Sequence, residues 1–502
     1  MKKIVIIGSG FAGLSAAAFM AKAGWDVTVL EKQDTPGGRA RQLVEEGFVF
    51  DMGPSWYWMP EVFERFFNSF GKKVTDYYQL KRLDPSYRVY WPDSTMDIPA
   101  DYNDLKNLFE KTEPGSGAIL DKFIREAAYK YDVGINKLVH KPGQSIFEFA
   151  DWELVKGVIK LDVFNSIKTH VHKHFKNSKL RELLEFPVLF LGALPQDTPA
   201  LYSLMNYADM KLGTWYPEGG MYKIVEAMTN LAIELGVKFY FNHEVTAIQV
   251  EDGFATKVLT KRDRSLKETD KLFAVKTFNA NVVIGGADYH FIESRLLIKK
   301  YRSYSEKYWD KRILAPSCLL YYIGLNKKLT NTLHHMLFFD VSFDVHGKEI
   351  YKTPKWPTDP LFYVCAPSLT DPTTAPEGCE NLFFLIPVAS GLDGDTEELR
   401  DEYFEKVLKR FEDRIGQRVK DSIIYKKSYS VNNFKEDYNS FKGNAYGLAN
   451  TLLQTAVLKP GLRSKKVKNL FFTGQLTVPG PGVPPSLISG EVVSNEVLKH
   501  FD

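Results

Sequence analysis

The residues best placed to do chemistry stand near the start of the sequence. Gly8, Ser9, Gly10, Phe11, Ala12 and Gly13 form a G-x-G-x-x-G run directly after the apolar stretch Lys3-Ile4-Val5-Ile6-Ile7. Gly8 allows a tight turn out of a strand, Gly10 lets the backbone approach a pyrophosphate, and Gly13 lets a helix pack close to the strand. Leu14 to Ala23 reads as that helix, offering unpaired N–H groups and a positive dipole end. Val27-Thr28-Val29-Leu30 reads as a second strand, and Glu31 ends it, 18 positions past Gly13. A carboxylate there accepts hydrogen bonds from ribose hydroxyls and disfavours a 2′-phosphate. Lys32 follows it. Strand, glycines, helix and acid in this order predict a βαβ unit that binds an adenine dinucleotide.

Other reactive side chains are sparse. The three cysteines, Cys318, Cys365 and Cys379, show no metal spacing and no disulfide framework, which fits a reducing, intracellular compartment. His170, His172 and His174 form a local cluster. On a helix, His170 and His174 share a face at i, i+4, as metal ligands can. No carboxylate or thiol stands beside them in the sequence, so they read as a solvated basic face, and no metal is expected.

The elements that must position the dinucleotide extend far beyond the first unit. At 502 residues the chain calls for two domains or one with a large insertion. A 44% hydrophobic, 25% charged composition predicts a folded core, and 65 Lys and Arg against 62 Asp and Glu give no reason to invoke nucleic acid. The 14% aromatic content fits either a large apolar cavity or a bulky core. Lys2-Lys3 and the apolar stretch after it imitate a signal peptide, but glycines interrupt the stretch. No apolar run reaches the roughly 18 residues of a transmembrane helix. Tyr87 to Trp91 reads as a strand and Ala118 to Ile135 as a helix of a second domain. In 145–195, apolar residues at helical spacing are interleaved with Lys156, Lys160, Lys168, Lys173 and Lys176. Two readings stand: a helix lying on an anionic membrane, or one packed on its own domain. Phe186 to Pro195 is a short apolar run suited to a tunnel lining or a lipid contact. Strands are expected at 318–325 and 381–386, and a solvent-facing helix at 396–415. Near the end, Asn469 to Gly474 and the loop Pro479 to Pro485 repeat the strand, glycine turn and helix start, a second anion-favouring cradle.

Several further segments carry a family resemblance. Gly37-Gly38-Arg39 resembles the extended motif of the Gly-Gly-doublet flavoproteins, which include amine oxidases, protoporphyrinogen oxidases and carotenoid desaturases. Asp51-Met52-Gly53-Pro54-Ser55-Trp56 resembles the loop that brings their backbone to the flavin. The stretch around Val245 resembles the segment that meets the adenine. Gly286-Ala287-Asp288 stands where the family usually has Asn-Ala-Asp. Gly474 and the Val483-Pro484 pair resemble the C-terminal motif of carotenoid desaturases, with Gln475, Pro481 and Pro485 as departures. Over its whole length the chain resembles the bacterial-type carotenoid (phytoene) desaturases, and within them the 1′-hydroxycarotenoid 3,4-desaturases.

The resemblance implies an α/β fold. A Rossmann-like FAD-binding domain would be assembled from residues 1–75, 220–300 and 460–502. An α+β substrate domain with a helical membrane-associated part would span 76–219 and 301–459. It implies noncovalent FAD, held by Gly8 to Gly13, Glu31, Lys32, Gly38, Arg39, Gly53 to Trp56, Val245, Ala287, Gly474, Val483 and Pro484. It implies a hydrophobic carotenoid substrate, a quinone or oxygen as electron acceptor, and a cytoplasmic enzyme on the inner face of the cell membrane. Phytoene desaturation, a protoporphyrinogen or amine oxidase, and a non-enzymatic escort protein are the rival readings. A disulfide reductase needs an early Cys pair and is set aside, because the first cysteine is Cys318.

Overall fold

Strand Lys3–Ile7 buries its last four residues in a row. Such a strand needs neighbours on both edges and cover on both faces. In the computed structural model, which describes residues 2–145, 148, 165–262 and 275–501, it has both. A five-stranded sheet runs in the order Leu470–Phe472, Val282–Gly285, Lys3–Ile7, Asp26–Leu30, Lys238–Tyr240. All four pairings are parallel, with Ile4 between Val27 and Val282. Side chains alternate between the faces. Ile4, Ile6, Val27 and Ile284 pack with Leu14, Ile224 and Val493 from helices Phe11–Lys22, Tyr222–Glu234 and Val483–Phe501. Val5, Ile7, Leu30 and Val283 pack on Val245, Ile248 and Val258 of a three-stranded antiparallel sheet.

The helix that closes the chain, Val483–Phe501, lies along the fingerprint helix Phe11–Lys22. A Cβ on Gly490 would stand 2.5 Å from the Ala12 carbonyl oxygen and from Ser15 Cβ, so only glycine permits this approach. Ser15 Oγ donates to the Leu487 carbonyl at 2.7 Å.

A second, seven-stranded sheet runs in the order Ile423–Tyr429, Ser317–Leu325, Glu380–Val388, Phe362–Cys365, His335–Phe338, Tyr87–Tyr90, Thr95–Ile98. Its alternation divides two cores. Tyr321, Ile323, Phe384 and Phe338 pack on helix Glu397–Ile415, whereas Tyr322, Tyr363, Cys365 and Phe383 share a core with Phe48 and Phe50 of strand Phe48–Asp51. Helix Glu397–Ile415 therefore buries Tyr403, Phe404, Val407, Leu408 and Phe411, and its charge-rich sequence marks only the outer face. The architecture is the expected mixed α/β one.

In the region 145–195, residues 146, 147 and 149–164, with Lys156 and Lys160 of the helical reading, lie outside the described set. Within that set, helix Ile167–His174 buries Ile167, His170 and Val171. Phe186, Val188 and Leu194 are buried too, which favours a lining role over lipid contact for that run. No helix among the described residues is long and apolar enough to cross a membrane.

Candidate active site

The fold brings the scattered glycines to one place. Gly37 N–H donates to the Ser9 carbonyl at 2.9 Å. A Cβ on Gly38 would lie 3.4 Å from Gly10 Cα, so the doublet rests against the fingerprint turn. A Cβ on Gly53 would lie 2.4 Å from the Arg39 carbonyl oxygen, which stacks the third segment on the second. Gly8 abuts the Ala287 amide, and Gly474 faces Ala12. Gly13 presses on its own turn, with a hypothetical Cβ 2.1 Å from the Gly8 carbonyl oxygen. Gly10 differs from these, because a Cβ there meets nothing within 4 Å. Open space above Gly10, with a helix start beside it, is what a pyrophosphate needs.

Glu31 stands where expected but is not idle. Its Oε2 accepts from Ser9 N–H at 2.8 Å and Ser9 Oγ at 2.7 Å, and its Oε1 accepts from Gln33 N–H at 2.9 Å. The acid holds the glycine turn to the second strand. Lys32 pairs loosely with Glu244 at 3.9 Å, beside Val245. Val245 is buried, at the floor of a cleft of ≈ 570 Å³ lined by Glu244, His290, Ser294, Lys435 and Ser440. Arg39 donates through Nη2 to Ser440 Oγ at 3.0 Å and the Asn444 carbonyl at 3.2 Å, while its buried Nε has no hydrogen-bond partner. Burial lowers its pKa and the nearby Asp288 opposes that shift. An orphaned guanidinium donor and an open glycine cradle are the complement of a nucleotide diphosphate.

Residues 11–281 match the family model described as flavin-containing amine oxidoreductase. A carotenoid 3,4-desaturase of Haloarcula japonica is 40% identical over 99% of this chain and 98% of its own length. The chain belongs to the flavin-containing amine oxidoreductases, and within them to the carotenoid desaturases. A zeta-carotene-forming phytoene desaturase of Myxococcus xanthus is 30% identical over 99% of this chain and 94% of its own. Among solved structures, an oxidoreductase from Methanosarcina mazei superposes with a TM-score of 0.62 at 17% identity, covering 98% of this chain and 100% of that one. Putrescine oxidase superposes with a TM-score of 0.59 at 14% identity, covering 99% of each chain. Both share the fold.

This carotenoid desaturase is an FAD oxidoreductase, and the wall around Ser55 and Trp56 is aromatic with a polar core. Trp56 stacks on His335 at 4.1 Å between ring centroids and lies within 5.3 Å of Trp58 and Tyr87. Phe186 reaches Tyr87 at 5.7 Å, so the apolar run behind it joins this wall. Ser55 accepts from Tyr363 OH at 3.0 Å, and Tyr363 OH lies 2.6 Å from His335 Nδ1. Burial drives the His335 pKa well down and the Tyr363 pKa well up, so both stay neutral. The Nε2 atoms of His334 and His335 are buried without hydrogen-bond partners. Ser55 and Trp56 were expected near the cofactor; His335 and Tyr363 were not, and their only sequence signal was a His pair opening an apolar strand.

Two expectations need correction. Closing-helix residues Pro484 and Pro485 carry no N–H, and Ser486 N–H is bonded to the Gly482 carbonyl, so Val483 supplies the remaining amide of that turn. This helix start is a poorer anion cradle than the strand-turn-helix pattern suggested. The histidine cluster is not a solvated face either. Helix Ser116–Tyr131 brings Glu126 to 3.7 Å from His170 and 3.9 Å from His174, with the two imidazoles largely buried against Phe123.

Proposed function

We propose that this chain introduces a carbon–carbon double bond into a C40 carotenoid, by 3,4-desaturation of a 1′-hydroxycarotenoid. The observation that carries the reading is full-length identity of 40% with a carotenoid 3,4-desaturase. Residues 1–75, 220–300 and 460–502 form the FAD-binding domain, and 76–219 with 301–459 the substrate domain. Gly8, Ser9, Gly10, Phe11, Ala12 and Gly13 take the pyrophosphate, with Arg39 Nε as a side-chain donor. Glu31 takes the ribose, Lys32 and Val245 border the adenine, and Gly38, Gly53 to Trp56, Ala287, Gly474, Val483 and Pro484 border the rest of FAD. FAD supplies the acceptor for a hydride from an allylic carbon, while the neighbouring carbon loses a proton.

The chain's own residues supply position and dryness. A polyene has almost no hydrogen-bonding groups, so it is held by apolar burial at roughly 25 cal/mol per Å². Trp56, Trp58, Tyr87 and Phe186 form the wall for it. Neutral His335, fixed by Tyr363, places an unpaired imidazole nitrogen in that wall as a hydrogen-bond acceptor. The substrate dissolves in lipid, so the lysine-rich region 145–195 is assigned to the inner face of the cell membrane, and a quinone or oxygen takes the electrons. The deciding experiment incubates FAD-loaded protein with a 1′-hydroxylated carotenoid and, separately, with phytoene, and reads the polyene absorption. A red shift with the hydroxylated carotenoid is expected. A shift with phytoene alone makes the protein a phytoene desaturase, and no shift with either removes the carotenoid reading.

A further inference from the structure

A buried lysine without an anionic partner lies against the C-terminal loop. Lys459 is 5% exposed and donates to Asn450 Oδ1 at 2.8 Å. No carboxylate among the described residues acts on it, and burial alone pushes its pKa down to about 7. A lysine in that state is expensive unless something negative reaches it. Its position shows what could. A Cβ on Gly480 would lie 2.5 Å from Lys459 Nζ and 2.9 Å from Asn450 Oδ1, so the loop backbone lies directly against the ammonium. Thr477 Oγ1 donates to the Pro460 carbonyl at 2.6 Å, which ties the lysine's own segment to the loop that begins at Gly474. Gly474 faces Ala12 at the start of the fingerprint helix. The same loop leads into Val483, where two prolines have removed backbone donors.

We propose that Lys459 is the charge-compensating group of the flavin site, supplying the positive charge that the proline-rich start of the closing helix lacks. The inference rests on the reading that the loop from Gly474 to Pro484 borders FAD. In the dehydrogenation the substrate loses a hydride and a proton and gains a double bond. Bound FAD would take up that hydride and with it one negative charge. The acceptor, a quinone or oxygen, later removes the two electrons. An ammonium at Gly480, with two Nζ hydrogens beyond the one given to Asn450, stabilises that charge and favours reduction. Lys459 is thus a binding group for the reduced cofactor, distinct from the polar network of His335 and Tyr363 on the substrate side.

The test needs no substrate. Wild-type protein, K459M, K459Q, K459R and N450D are loaded with FAD, and the two-electron midpoint potential of each is measured spectrophotometrically against reference dyes. K459M and K459Q are expected to make the reduced flavin at least tenfold less favourable, a drop of about 30 mV for a two-electron couple. K459R should stay within threefold of wild type. N450D leaves the lysine in place but gives its ammonium a carboxylate, and should shift the potential the same way as K459M. Potentials of K459M and K459Q within twofold of wild type would overturn the proposal. If neither folds, an unchanged N450D would do so. Loss of flavin from both neutral variants with retention by K459R would also overturn it, because the lysine would then serve the oxidised cofactor. Wild-type protein that binds FAD but leaves every carotenoid unchanged would instead sink the proposed substrate and leave the lysine's role standing.

Discussion

Gly10 and Gly13 lie in one turn, and the structure separates their roles. Gly13 is required by the protein itself: a methyl group would stand 2.1 Å from a backbone oxygen. Gly13→Ala should cost about 1–3 kcal/mol through overpacking, visible as a lower midpoint in thermal unfolding with or without FAD. Gly10 is required by the ligand. Gly10→Val has room to fold, and should keep its unfolding midpoint in the absence of FAD while losing the yellow cofactor; an FAD-loaded Gly10→Val protein would refute the cradle. This part of the site was legible because backbone approach constrains residue type directly. Glu31 was legible in position and only half legible in use, since its bonds to Ser9 cannot be seen from spacing. Lys459, His335 and Tyr363 were not legible at all. Their meaning is burial beside residues far away in sequence, and neither burial nor that proximity leaves a local pattern. Glu126 shows the converse error. It completes the histidine cluster from another helix, so a search among sequence neighbours misses it.

Strands and helices were read well where apolar periodicity alone decides them. The expected strands at 318–325 and 381–386 appear as Ser317–Leu325 and Glu380–Val388. Helix Glu397–Ile415 was misjudged because its charges outnumber its apolar stripe, although that stripe recurs at helical spacing through Phe404, Val407, Leu408 and Phe411. The five-residue turn Ala208–Leu212 carries an element-scale test. It places Asp209 beneath the aromatic wall, accepting from Tyr87 OH at 2.7 Å and Thr214 Oγ1 at 3.3 Å. Burial raises the Asp209 pKa from 3.8 to about 7. Folding therefore favours the protonated acid. That contribution is present at acid pH and is lost as pH rises from about 4 to about 7. Asp209→Asn stays neutral throughout, so its unfolding midpoint should gain on wild type by at least about 2 °C between pH 5 and pH 8. An advantage that does not change with pH would show that Asp209 is ionised at no folding cost.

At the scale of the molecule, the two sheets meet across the loop Asp51 to Trp56, where Tyr322 OH donates to the Met52 carbonyl, and the proposed membrane contact carries its own prediction. Deleting helix Ile167–His174 would remove the fully buried Ile167 and Val171, so loss of membrane binding in such a variant would mean only unfolding. Reversing charge at Lys156 and Lys160 is the cleaner probe. Each lysine near an anionic surface contributes about 1 kcal/mol, so the K156E/K160E protein should bind phosphatidylserine vesicles at least tenfold more weakly. Unchanged co-sedimentation would return this region to a helix packed on its own domain. The parallel sheet has one more consequence, for how the protein is made. Its five strands are drawn from residues 3–7, 26–30, 238–240, 282–285 and 470–472, and the helix that covers the fingerprint helix ends at Phe501. A nascent chain emerging from the ribosome holds the glycine turn early but lacks its edge strand and its lid until translation is nearly complete. The sheet and the helix that covers its fingerprint helix are therefore complete only when almost the whole chain has been made.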